Sequence, residues 1–107
     1  MMKLYGFDTI NTFKVLVFLL ETKVEFKYLP INIRAGEQHG PEILAINPVG
    51  KIPVLFDGEQ YWTESNAILF NLAQKTGWGL LDDPNMHDRL LAWLFYQAST
   101  LEMKCLK

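Results

Sequence analysis

The chain has 107 residues, of which half are apolar and 21% are charged, and this composition is typical of a globular protein. A net charge of −2 provides no basic surface for nucleic acid. The longest apolar run, residues 15–20, is much shorter than the roughly 20 residues of a membrane span, and the N-terminal pattern is not that of a signal peptide. The single cysteine, Cys105, excludes an internal disulfide, a CxxC pair and a zinc knuckle. We therefore expect a cytoplasmic protein without metal, nucleic acid or membrane as partner, and a structural role for Cys105.

The first three quarters of the chain alternate between strand and helix signals. Residues 3–6 predict a strand, and the apolar pattern from Thr12 to about residue 21 predicts a helix. A strand at 26–31, a polar loop at 32–40 and a short helix at 41–44 follow. Asp57-Gly58 between two apolar runs predicts a hairpin, and residues 64–75 predict a helix that Gly77 caps. This order predicts a mixed sheet with helices packed on it.

The last part of the chain has a different pattern. Residues 86–104 predict a long helix that is apolar nearly all the way round, and such a helix requires burial on more than one side. We expect residues 81–107 to be a linker and the first helix of a second, all-helical domain that the sequence does not complete. The alternative is an ordinary terminal helix that docks on one face of the sheet and contributes dimer contacts.

Two short segments carry residues suited to binding a zwitterionic ligand. Glu64-Ser65 opens a predicted helix, where backbone amides and the helix dipole attract an anion. The Ser65 hydroxyl could bind a carboxylate and Glu64 an ammonium group, so the pair matches an amino-acid terminus. The alternative is that Ser65 is a plain N-cap. Ile52-Pro53 opens a predicted strand; a cis bond there would present backbone groups to a ligand, although most X–Pro bonds are trans.

A third segment lies between the first strand and the first helix. Thr9 and Asn11 offer hydroxyl and amide donors that could stabilise a thiolate at a helix N-terminus. The alternative for both is turn formation and capping. Asp8 would disfavour a thiolate if it pointed inward, so we expect it to point outward and cap the helix.

Taken together, these motifs resemble the glutathione S-transferases. The segments at 4–6, 14–15, 47–55 and 64–73 occur in that family's order, over about residues 3–77. The resemblance implies a thioredoxin-like α/β domain at residues 1–80, with βαβαββα order, a mixed four-stranded sheet and a cis bond before Pro53. It also implies a glutathione site. There, the backbone of Ile52, next to Pro53, would pair with the cysteinyl part of glutathione, and Glu64 and Ser65 would hold the γ-glutamyl end. Lys51 and Gln38 would lie near the glycyl carboxylate or the peptide flank.

The Thr-x-Asn arrangement, with Gly36-Glu37-Gln38 downstream, resembles the bacterial Nu class and its Ure2-like relatives. That resemblance implies a catalytic role for Thr9 as main thiolate donor and Asn11 as supporting donor. It implies a detoxifying, homodimeric transferase or disulfide reductase, with glutathione as cosubstrate and a small electrophile or disulfide as second substrate. The alternatives are a non-catalytic binding or assembly module and an inactive fragment.

Overall fold

A computed structural model describes residues 1–77 and 84–102, and its centre is a four-stranded mixed sheet. The strands are β1 (Met2–Gly6), β2 (Phe26–Pro30), β3 (Val54–Phe56) and β4 (Tyr61–Thr63). They lie in the order β2-β1-β3-β4, with β2 parallel to β1 and the other two pairs antiparallel. The predicted Asp57-Gly58 hairpin joins β3 to β4 and is confirmed.

The helices complete the expected order. They are α1 (Ile10–Glu21), α2 (Pro41–Ile46), α3 (Ser65–Thr76) and α4 (Pro84–Tyr96). The βαβαββα thioredoxin-like fold is therefore confirmed, and α4 follows it as the start of a C-terminal helical part. Gly77 has a φ of +72° and its amide donates to the Ala73 carbonyl, which confirms the predicted C-cap. None of the described helices is long and apolar enough to cross a membrane.

The hydrophobic core forms around the two central strands. Leu4 on β1 and Leu55 on β3 are fully buried, and so are Val15 on α1 and Ile68 on α3. Complete burial of such a side chain stabilises the fold by roughly 1.5–3 kcal/mol. A second group of buried side chains joins β1 and β3 to the segment around α2; it consists of Tyr5, Ile31, Ile43 and Val54.

Helix α1 begins two residues before the predicted start because a threonine outside the apolar pattern caps it. The side chain of Thr9, in extended conformation, accepts a hydrogen bond from the Thr12 amide. The first turn of α1 also approaches β1 closely. A Cβ on Gly6 would lie 2.4 Å from Thr12 Cγ2, so only glycine fits at this position.

The described residues divide into two compact units, one ending at Asn71 and the other beginning at Leu72, within α3. In the second unit, α4 continues as a π-helical turn, Gln97–Leu101, which confirms the predicted long helix up to residue 102. Trp93 and Phe95 on α4 are 67% and 72% exposed. The predictions for the linker at 78–83, for the helix end at 103–104 and for Cys105 lie outside the described residues.

Candidate functional site

The predicted site segments meet at one edge of the sheet. Tyr5 pairs with both Leu29 and Val54, and Val54 pairs with Thr63, so these four residues form a row across all four strands. β3 begins and β4 ends at this row, and β1 and β2 end one residue beyond it. Each segment with a predicted site residue leaves or enters the sheet at this row. Those residues are Thr9 and Asn11 after β1, Gln38 after β2, Lys51, Ile52 and Pro53 before β3, and Glu64 and Ser65 after β4.

Thr9 is the N-cap of α1, so the capping interpretation of this residue is confirmed. Its Oγ1 accepts from the Thr12 amide at 3.1 Å and donates to Thr12 Oγ1 at 2.9 Å. Asp8 is exposed, as expected, but the expectation that it caps the helix is wrong. The extended backbone of Thr9 places its own hydroxyl over the first turn, and one side-chain oxygen is sufficient for that position.

Asn11 lies on the first turn of α1 and is half-buried. Its Oδ1 is buried and has no hydrogen-bond partner in the described part of the chain. A buried polar atom without a partner is energetically costly, typically by about 1–3 kcal/mol, and a ligand, an ion or a water molecule can supply the missing bond. The Asn11 amide therefore fits the lining of a binding site.

Gln38, in the segment after β2, shows the same feature. It lies in a short 3-10 turn, Glu37–His39, and its Oε1 is buried and unpartnered among the described residues. The turn packs against Gly50, where an added Cβ would lie 3.3 Å from the Gln38 carbonyl oxygen. Gly50, with a φ of +71°, thereby allows the turn that carries Gln38 to lie beside the segment that leads to Lys51.

Asn47 shapes the segment that enters β3. It is 7% exposed; its Nδ2 donates to the Lys51 carbonyl at 3.0 Å, and its Oδ1 accepts from the Val49 amide at 3.2 Å. These bonds hold the turn before Ile52, whose peptide bond to Pro53 is cis, as the family resemblance implies. Pro53 is buried, Ile52 half-buried and Lys51 exposed.

Glu64 has an unusual backbone conformation. Only two non-glycine residues in the described part of the chain have a positive φ: Lys23 at 57° and Glu64 at 69°. Lys23 follows α1, where Val24 N bonds to Leu19 O in a common helix-ending motif, which accounts for its conformation. No helix ends at Glu64. A non-glycine residue in this region costs about 1–3 kcal/mol and is concentrated at binding sites.

The Glu64 carbonyl accepts the first helical bond of α3, from the Ile68 amide at 2.9 Å. Ser65 is therefore the first residue of the helix, and the plain N-cap interpretation of Ser65 is wrong. A hydroxyl at this place lies beside the first-turn amides, which have no partner within the helix. The half-buried Ser65 and these amides can together bind a carboxylate.

A long-range hydrogen bond connects the two helix N-termini. Lys14 Nζ on α1 donates to Asn66 Oδ1 on α3 at 2.8 Å. The α1 segment with Thr9 and Asn11 is thus tied to the α3 segment with Glu64 and Ser65.

Burial raises the pKa of Tyr5 above its usual value of 10.0, and the neighbouring Tyr61 raises it further. Tyr5 is 5% exposed and belongs to the buried group around α2. Burial, and then the charge of Asp8, raise the pKa of Tyr28. In the described ranges, 1–77 and 84–102, no three His, Cys, Asp or Glu side chains lie close enough to hold a metal ion.

Two further residues build the edge, although the sequence did not predict them as part of the site. Thr12 is 1% exposed, and its hydroxyl contacts both Thr9 and the Phe7 amide. A second threonine three residues after a helix cap is a signal that could have identified it. Lys14 appeared only as part of a motif, because its partner Asn66 lies 52 residues further along the chain.

Comparisons with known proteins show the family to which this fold belongs. The family model "Glutathione S-transferase, N-terminal domain" matches residues 1–74. The disulfide-bond oxidoreductase YfcG of Escherichia coli strain K12 is 36% identical over 108 residues, covering 94% of this chain and 50% of that protein. A possible glutathione S-transferase from Rhodopseudomonas palustris has a crystal structure with a TM-score of 0.88 and 33% identity, covering 94% of this chain and 50% of that one.

A glutathione transferase from Pseudomonas putida, crystallised with one glutathione disulfide per subunit, has a TM-score of 0.84 and 31% identity. That alignment covers 92% of this chain and 45% of the other. The chain thus spans about half the length of these relatives. Since the family match covers well over half of the 107 residues, the chain belongs to the glutathione S-transferase family, whose N-terminal domain it contains.

Proposed function

We propose that this chain binds glutathione at the sheet edge and holds its sulfur as a thiolate. In this proposal, Glu64 and Ser65 bind the γ-glutamyl end and Ile52 and Pro53 the cysteinyl backbone. Gln38 and Lys51 bind the glycyl end. Thr9 and Asn11 donate hydrogen bonds to the sulfur, with Thr9 as the main donor.

One observation carries this proposal: the row of paired residues Tyr5, Leu29, Val54 and Thr63. It brings the four segments with the proposed residues to one edge, although they are separated by up to 56 positions, from Thr9 to Ser65. Asn11 Oδ1 and Gln38 Oε1 are buried acceptors without a partner in the described part of the chain, and a polar, peptide-like ligand with N–H donors fits both.

The chemistry follows from the pKa of a thiol. A free thiol is mostly protonated at neutral pH, and only its thiolate is a strong nucleophile. Two hydrogen bonds to the charged sulfur, each worth roughly 1.5–3 kcal/mol, would lower that pKa by more than one unit. The thiolate would then attack an electrophilic carbon and displace its leaving group, which gives a glutathione conjugate.

The thiolate can also attack a small disulfide, giving a mixed disulfide and a released thiolate. A second glutathione thiolate would attack the glutathione sulfur of that mixed disulfide, forming glutathione disulfide and releasing the second thiol. Two electrons pass from two glutathiones to the substrate, so no protein cysteine is required. The oxidoreductase relative and the Pseudomonas putida neighbour with glutathione disulfide support this reductase reaction.

Calorimetric titration with reduced glutathione tests the proposal. We expect one binding site whose affinity falls about tenfold or more in Glu64→Gln and in Ser65→Ala, because each loses a bond to a charged group. The control is Glu59→Gln, which removes a carboxylate from the exposed β3–β4 turn and not from the edge. This variant should bind glutathione normally. Absence of binding by the unmodified chain would contradict the proposal. Turnover with an aryl halide and with an alkyl disulfide then separates conjugation from disulfide reduction.

The second candidate function is a non-catalytic glutathione-binding or assembly module, which includes an inactive fragment. The Thr9 hydroxyl donates to Thr12 and not toward the edge, and the exposed Trp93 and Phe95 offer apolar contact area to another protein. This candidate predicts glutathione binding without turnover of either substrate.

The proposal also includes a homodimer, a cytoplasmic location, a role in detoxification and a domain division at residue 80. Four exposed apolar side chains on α1 support self-association: Ile10, Phe13, Val17 and Leu20. Light scattering coupled to size exclusion would measure the dimer. Limited proteolysis would show whether cleavage falls near residue 80, and fractionation of the source cells would test the location.

A further inference from the structure

We infer that Thr12 is a positioning residue that sets the direction of the Thr9 hydroxyl proton. This inference rests on the proposed function, in which Thr9 donates to the glutathione sulfur. It assigns a role to a buried hydroxyl that touches no ligand and acts through its neighbour.

Three hydrogen bonds carry the inference. The Phe7 amide donates to Thr12 Oγ1 at 3.3 Å, Thr9 Oγ1 donates to Thr12 Oγ1 at 2.9 Å, and the Thr12 amide donates to Thr9 Oγ1 at 3.1 Å. The two hydroxyls therefore form a pair at the end of β1. Thr12 is 1% exposed, so water does not compete for its hydroxyl.

A hydroxyl has one proton, and here the Thr9 hydroxyl donates its proton to Thr12 Oγ1. Thr9 can donate to a thiolate only if this proton turns away from Thr12. When it turns, the Thr12 hydroxyl can rotate and donate to Thr9 Oγ1, so that the bond between the two oxygens reverses and is kept. The Phe7 amide, Thr12 and Thr9 then form one chain of donors that ends at the sulfur, and each bond in such a chain strengthens the next.

The fit of Thr12 against β1 holds the pair in place. A Cβ on Gly6 would clash with the Thr12 methyl at 2.4 Å and crowd its hydroxyl at 2.9 Å. Three charged residues lie in this segment or against it. Asp8 is exposed, Lys14 bonds to Asn66, and Arg34 lies over the Phe7 ring at 5.8 Å.

The test measures the pKa of the bound glutathione thiol from the ultraviolet absorbance of its thiolate, in the full 107-residue chain. We expect Thr12→Val to raise this pKa by a few tenths of a unit, because a chain strengthens each bond by only about 10–30%. Thr12→Ser keeps the hydroxyl and should restore the original value. In a Thr9→Val background, Thr12→Val should have no further effect, since the link to sulfur is already lost.

Binding of S-methylglutathione, which has no thiol, is the control for folding and site shape, and its affinity should be the same in all Thr12 variants. A Thr12→Val pKa that is unchanged or lower, while the unmodified chain still binds glutathione with a lowered thiol pKa, overturns the inference and leaves the proposed function intact. The inference is also overturned if Thr12→Val raises the thiol pKa equally in the Thr9→Val background, or if Thr12→Val weakens the binding of S-methylglutathione in parallel. Either result would indicate a structural role for Thr12. Failure of the unmodified chain to lower the thiol pKa overturns both.

Discussion

Lys14 and Asn66 are 52 residues apart in the chain, yet Lys14 Nζ donates to Asn66 Oδ1 at 2.8 Å. The bond joins the two helices whose N-termini carry the predicted thiolate donors and the predicted carboxylate-binding turn. Because Lys14 is half-buried, water screens this bond less than it would on an exposed surface.

Replacing Lys14 by methionine should therefore destabilise the fold and loosen the site. We expect the free energy of unfolding to fall by about 1–2 kcal/mol, since a partly buried bond to a charged donor is lost. Urea denaturation measures this change, and the double variant with Asn66→Ala should show a coupling of at least about 0.5 kcal/mol. Strictly additive effects of the two substitutions would contradict a direct interaction.

Glu64 should show a conflict between stability and function. Its φ of 69° suits glycine, so Glu64→Gly should be about 1 kcal/mol more stable than Glu64→Ala, although both should lose glutathione affinity. Lys23→Gly is the matched control. It should also be more stable than Lys23→Ala, because the φ of Lys23 is 57°, but without loss of binding. Equal stabilities of Glu64→Gly and Glu64→Ala in urea would show that the backbone is not constrained there.

A double-mutant cycle tests the contact between Gly6 and Thr12. Gly6→Ala should destabilise the fold by roughly 1–3 kcal/mol, because its new methyl would lie 2.4 Å from Thr12 Cγ2. Thr12→Ser removes that methyl and keeps the hydroxyl, so Gly6→Ala should cost less in a Thr12→Ser background. The free energy of unfolding of the four proteins forms the cycle, and the same cost in both backgrounds would contradict the contact.

The raised pKa of Tyr5 predicts a pH dependence above neutrality. The folded state holds this proton more tightly than the unfolded state, whose value is near 10.0, so this contribution to stability is complete below pH 10 and is lost as the pH rises through the higher folded pKa. Tyr5→Phe should lose less stability than the unmodified chain on going above pH 10, because phenylalanine has no proton to release. A stability difference that stays constant from pH 8 to 11 would exclude this linkage.

The sequence by itself determined the order of elements, because this order depends on local signals. The site residues stay predictions, and several of them, such as Gln38, followed only from the family resemblance. Apolar periodicity predicts α1 and α3, Asp57-Gly58 predicts the hairpin, and the motif at Asn47–Gly50 predicts the turn before β3. The bounds of α1 were less accurate, since the cap at Thr9 lies outside the apolar pattern. The cis bond before Pro53 followed only from the family resemblance, because local preference favours trans.

Only the tertiary structure decided which groups lie close together, which backbone conformation they adopt and how deeply they are buried. The pairing of β1 with β2 and with β3 aligns Tyr5 with Leu29 and Val54 and brings distant segments to one edge, and no local pattern encodes the pairing of strands so far apart in the chain. The same holds for the left-handed backbone of Glu64, which the surrounding structure must hold against its local preference. The burial of Thr12 beside Gly6, with its hydroxyl 2.9 Å from Thr9 Oγ1, likewise depends on how α1 packs against β1.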